Sequence, residues 1–264
     1  MRRNKLKIGI VGCGWLGESL AEFYLEKGEQ VSGTTRTPSK AVSLKKLGVE
    51  TFLLNSFDDD LRWLKTMDVL VLNIPPSSFG EDYARFMVHI VRHIGAHTKV
   101  TFISSTSVYD NRNNVVDENE VFVGNSQRGK NVYQAEKELE RALGSGLTII
   151  RMAGLVGKER HPAKFMAGKN YPGKEEPINL IHLKDCIGLI DAVIEKKYWG
   201  ETINGCASEH PKKSEYYTWA ANEFRLDAPL FTPEKTDFKI ISNEKSRMIL
   251  GYSYRYDSPF DFPL

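Results

Sequence analysis

The sequence predicts an α/β fold, a doubly wound parallel sheet followed by a small C-terminal α/β cap. Three observations lead there. Short apolar, β-type runs alternate with longer helical patterns through the first 150 residues, as successive βαβ units require. The first of these runs passes directly into a glycine-spaced turn that opens a helix. Beyond Ala153 the alternation loosens, and Pro162, Pro172, Pro177, Pro211, Pro229 and Pro233 break the chain into loops.

Taken in order, a strand is expected at 6–11, then a helix at 15–27 stopped by Gly28. A second strand follows at 30–34, a helix at 39–47 ending at Gly48, and a third strand at 49–54. Asp58, Asp59 and Asp60 read as the capped, dipole-matched start of a short helix running to Thr66. The fourth strand, 68–72, is apolar enough to be central. Tyr83, Phe86, Met87, Ile90, Val91 and Ile94 then form one helical stripe. A fifth strand at 99–103 leads to a polar stretch, 110–130, whose length suggests a functional lid or mobile loop. A helix at 131–143 and a sixth strand at 147–151 close this half. Short strands are expected at 178–181 and 202–204, and helices near 184–196, 212–224 and 243–250. The division is thus a dinucleotide-binding domain at 1–155 and a small substrate-binding cap at 156–264, partly interleaved with it.

Composition narrows the classes. With 264 residues, 41% of them hydrophobic and 27% charged, the chain can bury a full core. The formal charge of +2 is nearly neutral, and Lys45-Lys46, Lys196-Lys197 and Lys212-Lys213 are only pairs. That is a solvated surface, not a nucleic-acid stripe. Cys13, Cys186 and Cys206 are widely separated and in no CxxC pair, which points to reduced thiols. The basic start (Arg2, Arg3, Lys5, Lys7) is followed by an apolar stretch that Gly12, Gly14, Gly17 and Glu18 interrupt, so no secretory signal is read. No window approaches the run of roughly 18 apolar residues that spans a bilayer. A cytoplasmic protein with no membrane partner is expected, as monomer or homodimer.

Gly12-Cys13-Gly14-Trp15-Leu16-Gly17 is a G-x-G-x-x-G placed between a strand and a helix, the context that gives this pattern its meaning. The first glycine permits the tight turn, the second lets a pyrophosphate approach the backbone, and the third lets helix and strand pack closely. The domain is therefore of the Rossmann type. Its second strand runs into Ser32-Gly33-Thr34-Thr35-Arg36-Thr37 and carries no acid for a ribose 2′-hydroxyl. Arg36, with the hydroxyls of Thr35 and Thr37, suits a 2′-phosphate, so NADP is favoured over NAD.

The fifth strand runs into Ser104-Ser105-Thr106-Ser107-Val108-Tyr109, and Tyr133-Gln134-Ala135-Glu136-Lys137 opens the next helix. Residues just past the carboxyl ends of strands line the ligand crevice of an open sheet. Tyr133 and Lys137, four apart, share a helix face. A phenol with a pKa near 10 is a weak base at neutral pH. A nearby ammonium stabilises its phenolate. Tyr133 can then exchange a proton with a substrate oxygen that Ser105 holds. The plainer alternative is a surface tyrosine with an i,i+4 lysine and a serine-rich turn.

These motifs, with Arg151-Met152-Ala153-Gly154-Leu155-Val156-Gly157 and Ile181-His182-Leu183-Lys184-Asp185, resemble the extended short-chain dehydrogenases/reductases. The group is the NAD-dependent epimerase/dehydratase family, in its short bacterial members. The resemblance implies Ser105, Tyr133 and Lys137 as the catalytic set, with Lys137 also binding the nicotinamide ribose. It places Asn73, Ile74 and Pro75 beside the cofactor, where the family has small residues. Thr106, Ser107, Arg160 and His161 are candidate substrate contacts. The chain departs from the family in its glycine spacing, in Asp110 after Val108-Tyr109, and in its short C-terminal part. Family dehydratases place an Asp-Glu pair after the catalytic Ser/Thr, where this chain has Thr106 and Ser107, so elimination of water is not expected.

His89, His93 and His97 are spaced like a metal stripe, yet no carboxylate or cysteine completes a set, and no metal is expected. The reading is an NAD(P)-dependent oxidoreductase acting on a hydroxyl or carbonyl of a small polar metabolite. An epimerase is the second reading, and a non-catalytic NADP-binding sensor, from another class, the third.

Overall fold

A computed structural model describes residues 5–120, 124 and 126–263. Its first part runs β1 (Lys7–Val11), α1 (Trp15–Glu26), β2 (Gln30–Thr35), α2 (Pro38–Leu47), β3 (Glu50–Leu53), β4 (Val69–Leu72), α3 (Tyr83–Val91) and β5 (Lys99–Ser105). The chain continues through β6 (Asn114–Val116), α4 (Gln127–Leu143), β7 (Leu147–Met152), β8 (Gly154–Val156) and α5 (Ala163–Met166). Then follow β9 (Asn170–Tyr171), β10 (Leu180–His182), α6 (Leu183–Glu195), β11 (Thr202–Gly205), α7 (Lys213–Glu223), β12 (Leu230–Phe231) and β13 (Lys239–Ile241).

Seven strands form the central sheet in the order β11-β7-β5-β4-β1-β2-β3. β1 is parallel to both its neighbours, Ile8 standing opposite Val31 of β2 and Val69 of β4. Strand order reverses between β1 and β4, and a ligand crevice opens at the carboxyl ends of strands at such a switch point. Those ends are Val11-Gly12 and Leu72-Asn73.

The chain forms two compact units, each drawn from three stretches. Unit 1 is Met1–Ser105, Ser126–Ile150 and Ile190–Thr202; unit 2 is Thr106–Asn125, Arg151–Leu189 and Ile203–Leu264. In unit 1 the stripe Tyr83, Phe86, Met87, Ile90 and Val91 is buried as its spacing requires. Phe86 is fully enclosed, stacked on Phe79 at 3.7 Å between centroids and edge-on to Phe57 at 4.9 Å. Unit 2 is held by three short parallel pairs, β8–β10, β9–β12 and β6–β13. Its apolar core is Val156, Ala163, Ile178, Leu180, Tyr216, Tyr217 and their neighbours.

Four local expectations are corrected. Asp58–Asp60 do not cap a helix. Asp59 accepts from the amides of Asn55 and Ser56, Asp60 from that of Arg62, and only a 3₁₀ turn, Arg62–Thr66, follows. Of the stretch 110–130, residues 121–123 and 125 lie outside the described residues, and the described part is not all loop. β6 pairs with β13 within it, and the Asn113 side-chain amide donates to Asp237. α4 starts a turn earlier than its apolar spacing indicated, because Ser126 Oγ caps it by accepting from the Gly129 amide at 3.0 Å. The helix expected near 243–250 is a single π-helical turn, Lys245–Ile249.

Phe86→Ala removes a ring with no solvent to relax into. A loss of about 3–5 kcal/mol in unfolding free energy is expected, measured by denaturant titration; a loss under 1 kcal/mol would contradict the enclosure described.

Candidate active site

The glycine loop takes its shape from one crowded contact. Gly12 has φ +105°, and a Cβ there would meet the Asn73 backbone oxygen at 2.7 Å. A Cβ on Gly17 would run into the Gly12 carbonyl. That carbonyl accepts from Asn73 Nδ2 at 3.0 Å, while the Gly12 amide donates to Thr34 Oγ1 at 2.9 Å. The loop is thus tied to the ends of both β4 and β2. Gly14 differs: its φ of −82° suits any residue, and nothing lies within 4 Å of where its Cβ would stand. Neither backbone nor packing calls for a glycine there. Free space above a loop amide at a helix N-terminus fits an approaching phosphate.

A cavity of about 280 Å³ opens here, lined by Gly12, Cys13, Gly14, Thr35, Arg36, Thr37, Asn73, Ile74 and Pro75, all named from the sequence. Thr34, Lys40, Leu54, Ser78 and Phe79 also line it and were not foreseen. Lys40 sits in the first turn of α2, just past Arg36, so its signal was its spacing from the strand end. Ser78 ends one short 3₁₀ turn and Phe79 links it to the next, and neither turn carries a sequence period. Among the described residues no carboxylate lines the cavity. Trp15, Leu16 and Gly17 do not line it; Leu16 is buried in the core. Cys13 is buried, its thiol pushed up to about 12 chiefly by that burial, so it is no reactive thiolate.

Ser105 is the last residue of β5. Its neighbour Ser104 donates from Oγ to Glu136 Oε1 at 2.5 Å, a bond buried between β5 and α4. Glu136 stands between Tyr133 and Lys137, so this bond fixes how α4 is turned against the strand end. Lys137 Nζ lies 5.3 Å from the Tyr133 ring centroid and pairs with Glu140 at 2.8 Å. The hydrogen bond to Glu140 is the main cause that raises the lysine's pKa, so its charge is constant. Ser104 and Glu136 were missed as positioning residues, since nothing in the linear sequence pairs them.

Within unit 2, Thr106 is buried and Thr106–Val108 form a 3₁₀ turn that includes Ser107. Arg160 is exposed and donates from Nε to the Leu155 carbonyl. His161 is buried, with Nε2 2.9 Å from the Tyr216 hydroxyl and Nδ1 accepting from the Ala163 amide. Both of its ring nitrogens are thereby engaged. Tyr109 donates to Asn204 Oδ1 at 2.7 Å and accepts from Arg151 at 2.9 Å, a buried network. A cavity of about 430 Å³ lies in this unit, bordered by Tyr217, Lys213 and Lys239.

α3 ends at Val91, so His93 and His97 lie beyond it. His93 packs against His89, their rings 4.8 Å apart, and His97 approaches Asp68 at 3.8 Å. Among the described residues no group of three or more His, Cys, Asp or Glu is placed to hold a metal ion. Nor is any described helix long and apolar enough to cross a membrane.

Comparison with known proteins accords with this architecture. Residues 7–86 match the family described as NADP oxidoreductase, coenzyme F420-dependent. Protein YeeZ of Escherichia coli strain K12 is 33% identical over 271 residues, covering 98% of this chain and 99% of YeeZ. A Methylobacillus flagellatus structure assigned to the NAD-dependent epimerases/dehydratases superposes with TM-score 0.79 at 23% identity, over 97% of this chain and 95% of that one. A UDP-glucuronic acid 4-epimerase from Bacillus cereus, solved with NAD, superposes with TM-score 0.76 at 19% identity, over 94% and 92%. The fold is that of the extended short-chain dehydrogenases/reductases, the NAD-dependent epimerase/dehydratase class. Within it, the chain belongs to the same family as YeeZ.

Burial holds the pKa of His161, and likewise that of His182, down to about 4. An unfolded histidine titrates near 6.5. Between those values the unfolded chain binds protons that the native one does not, so stability falls as pH drops from about 6.5 to 4, by up to about 1.4 kcal/mol per pH unit for each histidine. Chemical denaturation across that range should show the slope, and His161→Gln should reduce it. An unchanged slope in the variant would remove His161 from this account.

Proposed function

We propose that this protein is an NADP(H)-preferring oxidoreductase that interconverts a hydroxyl and a carbonyl on a small polar metabolite. The observation that carries the reading is the Tyr133–Lys137 pair on α4, locked in register to the strand ending at Ser105 by the Ser104–Glu136 bond. A surface tyrosine with an incidental lysine would need no such lock.

The residues present fit a dinucleotide. The open side of Gly14 and the N-terminus of α1 suit a pyrophosphate. Arg36 and Lys40, with the hydroxyls of Thr35 and Thr37 and no carboxylate among the described lining residues, suit a 2′-phosphate better than a bare ribose. When bound, the nicotinamide supplies or accepts the hydride. The chain's own groups do the rest. Ser105 Oγ holds the substrate oxygen. The Tyr133 hydroxyl gives that oxygen a proton on reduction, and its phenolate takes one from it on oxidation. The constant charge of Lys137 favours the phenolate in between. Thr106 and Ser107 hold their protons too tightly to serve an elimination, so net loss of water is not part of the reaction. An epimerase is the second reading, favoured by the fold shared with the Bacillus cereus epimerase; the same three residues would serve hydride return to the opposite face.

Two measurements test this. NADPH should bind more tightly than NADH, and Arg36→Asp should close or reverse the gap, by about tenfold or more; equal wild-type affinities would remove the NADP reading. Tyr133→Phe should lower turnover by about 10²–10⁴-fold with cofactor affinity nearly unchanged, whereas Lys137→Met should damage both. Wild-type turnover by Tyr133→Phe on an identified substrate would show that the mechanism is wrong.

A further inference from the structure

The cofactor cavity has two cations on its wall, and they are differently placed. Arg36 is exposed and makes no ion pair among the described residues. Lys40 is half-buried, and its Nζ lies 2.5 Å from Glu18 Oε2. Glu18 belongs to the first turn of α1, the helix that the glycine loop opens. A carboxylate there is favoured by the positive helix end. It also takes the place of an anion toward Lys40, neutralising it beside the point where β2 ends. Glu18 itself does not line the cavity, whereas Lys40 does.

We propose that Glu18 and Lys40 form a counter-charge pair that sets the discrimination between 2′-phosphorylated and plain adenosine cofactors. Lys40 contributes a second ammonium to the 2′-phosphate beside Arg36, and Glu18 competes with that phosphate for it. The inference rests on the cofactor reading above and goes beyond it by assigning opposite roles to two residues. A 2′-phosphate carries nearly two negative charges near neutral pH, against one on the carboxylate, so it wins the exchange but by less than if Lys40 were free. A plain ribose offers Lys40 nothing, and the ammonium stays on Glu18. Glu18 therefore weakens binding of the phosphorylated cofactor without touching the plain one.

The test uses fragments that need no substrate and no turnover. Binding of 2′,5′-ADP and of 5′-ADP to the protein is measured by calorimetry, for the wild type, Arg36→Asp, Lys40→Met, Glu18→Gln and the Glu18→Gln/Lys40→Met double variant. Lys40→Met should weaken 2′,5′-ADP by about tenfold. Glu18→Gln should strengthen it by about threefold. The double variant should match Lys40→Met, because Glu18 acts through Lys40. Affinity for 5′-ADP should hold in all of them, which also reports an intact glycine loop. A wild type that does not prefer 2′,5′-ADP overturns the NADP reading and this inference together. A clear preference that Arg36→Asp abolishes and Lys40→Met leaves alone overturns this inference only. Weaker 2′,5′-ADP binding in Glu18→Gln overturns the competition, since Glu18 would then be placing Lys40 for the phosphate.

Discussion

One carbonyl oxygen, that of Gly12, is the joint on which unit 1 turns. It is approached by the backbone of Gly17 and by the side-chain amide of Asn73, so the start of α1, the end of β1 and the end of β4 converge on it. Any side chain at Gly17 would push the helix off the strand, and a buried carbonyl without its partner costs free energy. The crowding has an effect beyond packing. It aims the N-terminal amides of α1 toward the sheet's switch point, leaving the empty side of Gly14 as the free approach. The same switch point receives Thr34, Arg36 and Asn73 from neighbouring strands, so the cavity is a product of strand order as much as of the motif.

The sequence made legible what depends on period and on single-residue backbone demands. β1, β2 and β5 were found within a residue or two because each is a short, largely buried run. α3 starts with its apolar stripe but ends at Val91, leaving Ile94 beyond the helix, and Gly48, in the left-handed region at φ +100°, stopped α2 where expected. The misses share a cause. β8, β9, β12 and β13 are two or three residues long, too short for any alternation to register. α4 begins among Gln127, Arg128 and Lys130, which bury nothing, so only its Ser126 cap marks the start. Asp60 bonding the amide two residues on is a local turn that resembles a helix cap in one dimension.

The candidate site was legible unevenly for the same reason. Arg36, Asn73, Tyr133 and Lys137 follow from position relative to a strand end or a helix turn. Ser104–Glu136 and Glu18–Lys40 are contacts between residues 32 and 22 apart along the chain, and no spacing rule links them. Both act on groups that the motifs do name. The Ser104–Glu136 bond is the more demanding, since a buried carboxylate tolerates little misalignment of its donor.

The pairing of β6 with β13 bears on how the molecule is assembled in time. Asn113 and Phe238, which flank that pair, are 125 residues apart, and the Asn113 side-chain amide accepts from the Phe238 amide while donating to Asp237. Closing so long a loop early is entropically costly and returns only a three-residue ladder. Unit 1 has all of its strands and helices once residue 202 has been synthesised. Unit 2 lacks β13, α7 and much of its aromatic core until some forty residues later. During translation unit 1 therefore has the means to fold first, and residues 106–120 must wait, with Val115 and Val116 unpaired, for β13 to reach them.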